Sequence, residues 1–125
     1  MLSSEVSIAV VDDDESVLDA VKTVLENEDW NTLTYASGEE FLSDLKQHKP
    51  DCIILDANLK GVSGVAVALT IGSSYANSIP IIILTAYPGS PQTTKIKNLA
   101  SCDVLVKPVT AEILIQHIQE ALKPK

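Results

Sequence analysis

The stretch IAVVDDDESV, residues 8–17, runs from four apolar residues directly into three consecutive aspartates at positions 12–14. Like charges repel, so aspartates at the mouth of a buried strand need a compensating feature. Two interpretations are open at this point: the aspartates begin a solvated helix, or a positive group lies among them. The apolar run predicts a strand over Val6–Val11, and apolar residues at helical spacing predict a helix from Glu15 to about Glu28.

The same alternation of strand-like and helix-like segments continues along the chain. Further strands are predicted over Trp30–Ala36, Cys52–Leu55 with Asp56 at its end, Pro80–Thr85 and Asp103–Val106. Further helices are predicted after Ser37 as far as Pro50, from Val65 to about Ser73, over Pro91–Ala100, and after Thr110. The pattern is a β-α unit repeated five times.

Strands that are apolar on both faces and separated by helices predict a parallel sheet covered on both sides. Right-handed crossovers make such an α/β fold doubly wound. One common arrangement is the flavodoxin-like order 2-1-3-4-5, in which strands 1 and 3 are neighbours. The length of 125 residues fits a single domain over 1–125, and an apolar fraction of 46 % is enough for a core.

The charge balance limits the partners that the chain can bind directly. Acidic residues outnumber basic ones 17 to 9, the net charge is −8, and there is no arginine. This counts against direct nucleic-acid binding and against an anionic membrane surface. No apolar run reaches the ~20 residues of a membrane span, and the N-terminus does not resemble a secretory signal. We therefore expect a cytoplasmic protein, with Cys52 and Cys102 as small apolar residues.

Polar side chains follow four of the predicted strands. If the strand order is 2-1-3-4-5, Asp12, Asp13 and Asp56 converge, and Thr85 and Lys107 flank them. Three converging carboxylates raise one another's pKa unless a cation neutralises them, and Mg²⁺ is a hard ion that suits oxygen ligands. Carboxylates, a divalent metal, a hydroxyl and an ammonium group together form a site for handling a phosphoryl group.

Four sequence pieces at these strand ends carry a resemblance to a known family. They are VVDDDE (10–15), IILDANLKGVSG (53–64), IIILTA (81–86) and VLVKP (104–108). In this order and at this spacing, the chain resembles the receiver domain of bacterial two-component response regulators from Val6 to Leu122. The resemblance implies a phosphoacceptor signalling switch with the fold of chemotaxis regulators, and not an enzyme beyond self-phosphorylation and self-dephosphorylation.

The resemblance assigns the acidic residues to phosphorylation and to metal binding. It implies that Asp56 accepts a phosphoryl group from a phosphohistidine on a sensor histidine kinase or a histidine phosphotransfer protein. It further implies that Asp13 binds Mg²⁺ directly, that Asp12 helps to hold the ion, and that the metal ligands include Asp56 and the backbone carbonyl of Asn58.

The resemblance also assigns roles to the residues that flank the acidic cluster. It implies that Thr85 hydrogen-bonds a phosphoryl oxygen, that Lys107 pairs with Asp56 and then with the phosphate, and that the Lys107–Pro108 peptide is cis. Output, through a homodimer or a downstream protein, is expected at the face formed by the predicted fourth helix, the fifth strand and the last helix.

One departure from the family pattern affects the expected switch rather than the phosphorylation chemistry. Val104 stands where receivers usually carry an aromatic residue, and its short β-branched side chain cannot gate a surface by swinging. Tyr87 is the nearest large side chain to Thr85 along the chain. We hypothesise that the loop carrying Tyr87 is the switch; the alternative is that Tyr87 only shields the phosphoryl group from water.

Other classes of protein fit the residues less well. A Mg²⁺-dependent phosphohydrolase that forms an aspartyl-phosphate usually needs a carboxylic acid two residues after its nucleophile, where this chain has Asn58. A flavodoxin-like FMN carrier needs a hydroxyl-rich phosphate loop after the first strand, where three aspartates would repel the phosphate. For Asp14, which matches no functional position, we predict a helix cap, and we predict that His48 and His117 are surface residues on helices.

Overall fold

The computed structural model of the chain describes residues 6–72, 78–91, 93–94 and 102–123. The strands are β1 Ser7–Val11, β2 Asn31–Tyr35, β3 Cys52–Asp56, β4 Ile81–Thr85 and β5 Cys102–Val106. The longer helices are α1 Glu15–Glu26, α2 Gly38–Leu45, α3 Gly64–Gly72 and a C-terminal helix, Ala111–Leu122. The fourth helix that the sequence predicts, 91–100, lies largely outside the described residues, although Pro91, Thr93 and Thr94 are helical.

All five strands are parallel and lie in the order β2-β1-β3-β4-β5. This confirms the predicted doubly wound α/β fold and its flavodoxin-like strand order. β3 lies between β1 and β4, and its last residue, Asp56, is opposite Leu84 of β4. Among the helices within the described residues, none is long and apolar enough to cross a membrane.

The sheet separates two apolar layers because its central strands carry buried residues on both faces. On one face, α2 and α3 pack with side chains such as Phe41 and Val67 against Ile53 and Leu55 of β3. On the other face, α1 and the C-terminal helix pack with side chains such as Leu25 and Ile118 against Cys52 and Ile54. Successive side chains of a strand point to opposite faces, so β3 contributes to both layers in alternation.

Side-chain caps begin the helices as predicted. The side chains of Asp14, Ser37 and Thr110 accept hydrogen bonds from the backbone N–H groups of Ser16, Glu40 and Ile113 respectively. These contacts satisfy N–H groups that have no partner within the helix. Burial raises the pKa of the Cys52 thiol to about 12, which agrees with its predicted role as a small apolar residue.

The predicted end of α1 was two residues too late. Asp29 adopts a left-handed conformation with φ of 64°, and the N–H of Trp30 then bonds back to the carbonyl of Leu25. The N–H of Asp29 bonds to the carbonyl of Glu26, which completes a Schellman-type helix end. The prediction that His48 lies on a helix was also wrong, because α2 ends at Leu45.

Gly64 sets how closely α3 approaches the end of β3. A Cβ atom at this position would lie 1.9 Å from the backbone oxygen of Asp56 and 2.8 Å from the Cα of Ala57. Both neighbours are backbone atoms at the edge of the sheet, so they cannot turn away as a flexible side chain could. The position therefore requires glycine, and its close packing fixes the backbone on which Asp56 stands.

We predict that Gly64→Ala lowers the free energy of unfolding by about 3 kcal/mol or more, the upper range for inserting one methyl group into a packed site. Gly89→Ala is the matched control, because nothing lies within 4 Å of its added Cβ, and it should change stability by no more than about 1 kcal/mol. Urea unfolding of both variants measures the difference. Equal stability of the two variants would contradict the close approach at Gly64.

Candidate functional site at the carboxyl edge of the sheet

The three aspartates predicted to converge lie together at the carboxyl edge of the sheet. Asp12 follows β1, Asp56 ends the adjacent β3, and one carboxylate oxygen from each of Asp12, Asp13 and Asp56 lies within 4.8 Å of the others. Asp12 and Asp56 are buried and Asp13 is exposed. The strand order brings them together, since β1 and β3 are neighbours and end at the same edge.

Backbone hydrogen bonds hold the first two aspartates in place. The N–H of Asp12 donates to the carbonyl of Tyr35, which extends the β1–β2 pairing by one residue, and Oδ1 of Asp12 accepts from the N–H of Asp14 at 2.9 Å. Oδ2 of Asp13 accepts from the backbone N–H of Lys60 at 3.0 Å. Asp13 therefore joins the loop after β1 to the loop after β3.

Lys107 supplies the positive group that the cluster of aspartates needs. Its Nζ lies 2.9 Å from Oδ1 of Asp56, and the same oxygen accepts from the backbone N–H of Asn58 at 3.2 Å. The N–H of Lys107 donates to the carbonyl of Thr85 at 2.8 Å, which fixes the end of β5 against β4. The Lys107–Pro108 peptide is cis, as the resemblance implies.

Burial and charge act together on Asp12. Burial raises the pKa of its carboxyl and the charge of Asp56 raises it further, while the N–H of Asp14 and the charge of Lys107 act in the opposite direction. The net direction is upward, so one lysine does not fully offset the cost of placing these carboxylates together. Three carboxylates are a hard-oxygen donor set that fits a divalent cation such as Mg²⁺.

Thr85 lies on the opposite face of the sheet from the ion pair. Within β4, alternation places Thr85 on the side of Ile81 and Ile83, which pack in the layer of α2 and α3. Within β3, the same alternation places Asp56 on the side of Ile54, in the layer of α1 and the C-terminal helix. The Thr85 side chain is buried, and its hydroxyl accepts from the N–H of Tyr87 at 3.0 Å.

A cavity of about 350 Å³ opens beside Thr85 at this edge, lined in part by Asn58, Ser63, Thr85, Tyr87 and Thr93. Tyr87 is 68 % exposed and forms part of the rim. The cavity continues past the last residue of β3 and has hydroxyl groups on its wall. A ligand in this cavity would lie next to Thr85 at the edge of the sheet.

The residues predicted to transmit a signal have different environments. Val104 is half-buried in β5 opposite Ile83, and Tyr87 faces solvent. Sequence reasoning missed one contact on the predicted output face: Nδ1 of His117 lies 2.6 Å from Oδ2 of Asp103, which joins the C-terminal helix to β5. A separation of 14 residues across two elements gives no local pattern that could have revealed this pair.

The fold and the site together define a doubly wound α/β domain with an acidic cluster, a hydroxyl and a lysine at the carboxyl edge of its sheet. The family description "Response regulator receiver domain" matches residues 8–119. The chain therefore belongs to the family of response regulator receiver domains. This confirms the resemblance that the four sequence pieces carry.

Individual relatives agree with the family assignment. The chain is 31 % identical over 117 residues to the transcriptional regulatory protein AfsQ1 of Streptomyces coelicolor, covering 94 % of this chain and 51 % of that protein. It is 35 % identical over 118 residues to the transcriptional regulatory protein YvrH of Bacillus subtilis, covering 94 % and 49 %. The chain spans about half the length of the curated relatives it matches.

A solved structure shows the same fold over the whole length of the match. The chemotaxis protein CheY4 of Vibrio cholerae aligns with a TM-score of 0.83 at 28 % identity, covering 94 % of this chain and 98 % of that one. The match therefore covers nearly all of both chains.

We predict that Asp12→Asn stabilises the metal-free protein at pH 7. A raised pKa means that the folded state holds the Asp12 proton more tightly than the unfolded state, so ionisation opposes folding at pH values above that raised pKa. The penalty should disappear as the pH falls below the unfolded value of 3.8, where the carboxyl is protonated in both states. Urea unfolding in a metal chelator across this pH range measures the effect.

Mg²⁺ should reduce the stability advantage of Asp12→Asn over the unmodified chain. At about 100 times its dissociation constant, Mg²⁺ should stabilise the unmodified chain by about 2.7 kcal/mol and Asp12→Asn by less, because the variant lacks one carboxylate. Asp14→Asn is the matched control: its pKa is lowered by hydrogen bonds from Ser16, so loss of that charge should not stabilise the protein. An unmodified chain whose melting temperature ignores millimolar Mg²⁺ would show that the cluster does not bind the ion.

Proposed function

We propose that this chain is a phosphoacceptor switch of a two-component or phosphorelay system. Asp56 would accept a phosphoryl group from a phosphohistidine on a sensor histidine kinase or a histidine phosphotransfer protein. The observation that carries the proposal is the setting of Asp56: its carboxylate is buried within 4.8 Å of Asp12 and Asp13 and 2.9 Å from Nζ of Lys107. Membership of the receiver family supports the same conclusion.

The transfer itself is a displacement at phosphorus. Lys107 and the N–H of Asn58 both donate to Oδ1 of Asp56, so Oδ2 is the atom that attacks. An O–P bond forms to Asp56 as the P–N bond to the donor imidazole breaks. The bonding electron pair returns to the imidazole nitrogen. Asp56 gains negative charge, and the ammonium group of Lys107 lies where it can offset that charge.

Divalent metal binding fits the same site. Asp12, Asp13, Asp56 and the backbone carbonyl of Asn58 would hold Mg²⁺, and the bound ion would supply positive charge next to the phosphoryl oxygens. The raised pKa of Asp12 supports this assignment, because a cation would relieve the repulsion that the cluster carries without one. The hydroxyl of Thr85 would donate to a phosphoryl oxygen at the other side of the sheet.

The proposed response lies in the loop that follows β4. Val104 is too short to swing between two positions, whereas Tyr87 is exposed and its N–H contacts Thr85 directly. Movement of the Thr85 hydroxyl toward a phosphoryl oxygen would therefore move Tyr87. The changed surface would include the predicted fourth helix, β5 and the C-terminal helix, where a second copy of the chain or a downstream protein would bind.

The proposal places the chain in the cytoplasm, where kinase-driven phosphorylation occurs and where the free thiols of Cys52 and Cys102 would stay reduced. It also favours a signalling role over hydrolysis of phosphate esters. A hydrolase of this type would use a carboxylic acid at position 58, and the side chain there is an amide that cannot donate a proton to a leaving group.

We predict that Asp56→Asn abolishes phosphorylation and leaves the fold intact. The amide cannot attack phosphorus, and Lys107, whose side chain is 37 % exposed, can be solvated when its partner loses charge. Incubation with acetyl phosphate and Mg²⁺ followed by intact-mass analysis should show one phosphoryl adduct on the unmodified chain and none on the variant. Asp19→Asn, on the exposed face of α1, should behave as the unmodified chain does.

The same incubation separates the competing functions. An adduct that persists in Asp56→Asn would show that another residue is the phosphoacceptor. Continuous release of phosphate from a range of phosphate esters without a stable adduct would favour the hydrolase. If the incubation gives no adduct and no turnover, both functions are contradicted.

We predict that the Tyr87 loop changes its environment when the phosphoryl site is filled. With beryllofluoride as a phosphate mimic, large NMR shifts beyond the residues that bind the mimic should be confined to residues 85–91 and the face of the predicted fourth helix. They should include the Tyr87 ring. Tyr87→Ala should reduce these shifts and weaken partner binding. Unchanged shifts and binding in Tyr87→Ala would show that Tyr87 only covers the phosphoryl group.

A further inference from the structure

The buried hydroxyl of Thr93 is hydrogen-bonded to both Ser90 and Tyr87. Thr93 is 1 % exposed; its hydroxyl donates to the backbone carbonyl of Tyr87 at 3.3 Å and accepts from the hydroxyl of Ser90 at 2.9 Å. The N–H of Thr93 donates in turn to Oγ of Ser90 at 3.2 Å. Each hydroxyl donates once in this arrangement, so all three contacts can form at the same time.

These contacts hold Tyr87 from both sides. Its carbonyl accepts from Thr93 and also from the N–H of Ser90 at 3.2 Å, while its N–H donates to Oγ1 of Thr85 at 3.0 Å. A hydroxyl has one donor and two acceptor positions, and the Tyr87 N–H occupies one acceptor position of Thr85. The proton of the Thr85 hydroxyl therefore points away from the Tyr87 N–H, and within the described residues this hydroxyl donates no hydrogen bond.

We propose that Thr93 is a positioning residue for the Thr85 hydroxyl, acting through the backbone of Tyr87. This inference rests on the proposed function, because the acceptor that Thr85 would meet is a phosphoryl oxygen on Asp56. Without a phosphoryl group, Thr93 holds the carbonyl of Tyr87 and the Tyr87 N–H occupies one acceptor position of Thr85. The Thr85 proton is therefore already directed away from Tyr87 when Thr85 begins to move toward the phosphoryl group. Orientation in advance lowers the cost of forming the new hydrogen bond.

A purely structural role for Thr93 would have different consequences. If its hydroxyl only stabilised the loop, its loss would lower the free energy of unfolding and would leave the affinity for a phosphoryl group unchanged in the folded protein. If Thr93 positions Thr85, its loss weakens phosphoryl binding while Mg²⁺ binding by Asp12 and Asp13 is unaffected. The ratio of the two affinities therefore distinguishes the two roles.

The test compares Thr93→Val with Thr93→Ser. Valine keeps the shape and removes the hydroxyl, whereas serine restores it. With beryllofluoride as the probe in saturating Mg²⁺, Thr93→Val should bind about 5-fold more weakly, the equivalent of one ordinary hydrogen bond. Thr93→Ser should return to within about twofold of the unmodified chain, and the Mg²⁺ affinities of all three proteins should agree.

Thr94→Val is the matched control from the same helical segment. The hydroxyl of Thr94 donates to the carbonyl of Ser90 at 3.1 Å and is exposed, so its loss should leave beryllofluoride affinity unchanged. An unchanged affinity in Thr93→Val, or an equal loss in Thr94→Val, would overturn the positioning role and leave the proposed function standing. An unmodified chain that does not bind beryllofluoride at all would overturn the proposed function and this inference with it.

A second variant keeps the test decisive if Thr93→Val does not fold. Ser90→Ala removes both the hydrogen bond that the Ser90 hydroxyl donates to Thr93 and the one that it accepts from the Thr93 N–H, so it loosens the hold on Thr93 without changing Thr93 itself. It should weaken beryllofluoride binding in the same direction, with unchanged Mg²⁺ affinity. Full affinity in folded Ser90→Ala would contradict the hydrogen-bonded path from Thr93 to Thr85.

Discussion

The parallel pairing of β1 with β3 brings negative charges together, and much of the site compensates for their repulsion. Both strands end at the same edge, so Asp12 and Asp56 cannot be separated without breaking the sheet. Most proteins avoid buried like charges because their repulsion and desolvation oppose folding. Here the repulsion is concentrated at one edge, which makes that edge a strong attractor for positive charge. The repulsion that opposes folding would also favour binding of a cation at this edge, so one arrangement would have both effects.

The positive charge that offsets these aspartates comes from a residue near the C-terminal end of the chain. Lys107 follows the edge strand β5, yet its ammonium group reaches Asp56 in the middle of the sheet. Asp13 makes a comparable link through the backbone of Lys60, and Gly64 brings α3 directly onto the backbone of Asp56. The site is thus assembled from three separate loops, after β1, β3 and β5, each fixed by a contact that involves an acidic residue or its backbone. Such a site can form only when the whole sheet is in register.

The sequence predicted the fold and the acidic cluster because both follow from short-range patterns. Apolar runs of strand length between helical stripes specify a parallel sheet, and the residue after each run then falls at one edge. Side-chain contacts between separate elements could not be predicted from such patterns. The bond from Thr93 to the carbonyl of Tyr87 and the pair of His117 with Asp103 depend on loop geometry and on packing between elements. The end of α1 was misplaced because an aspartate, rather than a glycine, adopts the left-handed turn at position 29.

The alternation along β3 and β4 has a consequence for how the two halves of the domain influence one another. Asp56 belongs to the layer of α1 and the C-terminal helix, and Thr85 belongs to the layer of α2 and α3. A group held by both side chains would therefore contact both layers at the carboxyl edge of the sheet. The contacts that bind such a group would then come from both apolar layers, which the sheet separates. If such a group is bound, a partner that binds one layer more tightly in its presence would, by thermodynamic linkage, raise the affinity of the site for the group. The two surfaces of the domain would then be coupled at the edge of the sheet.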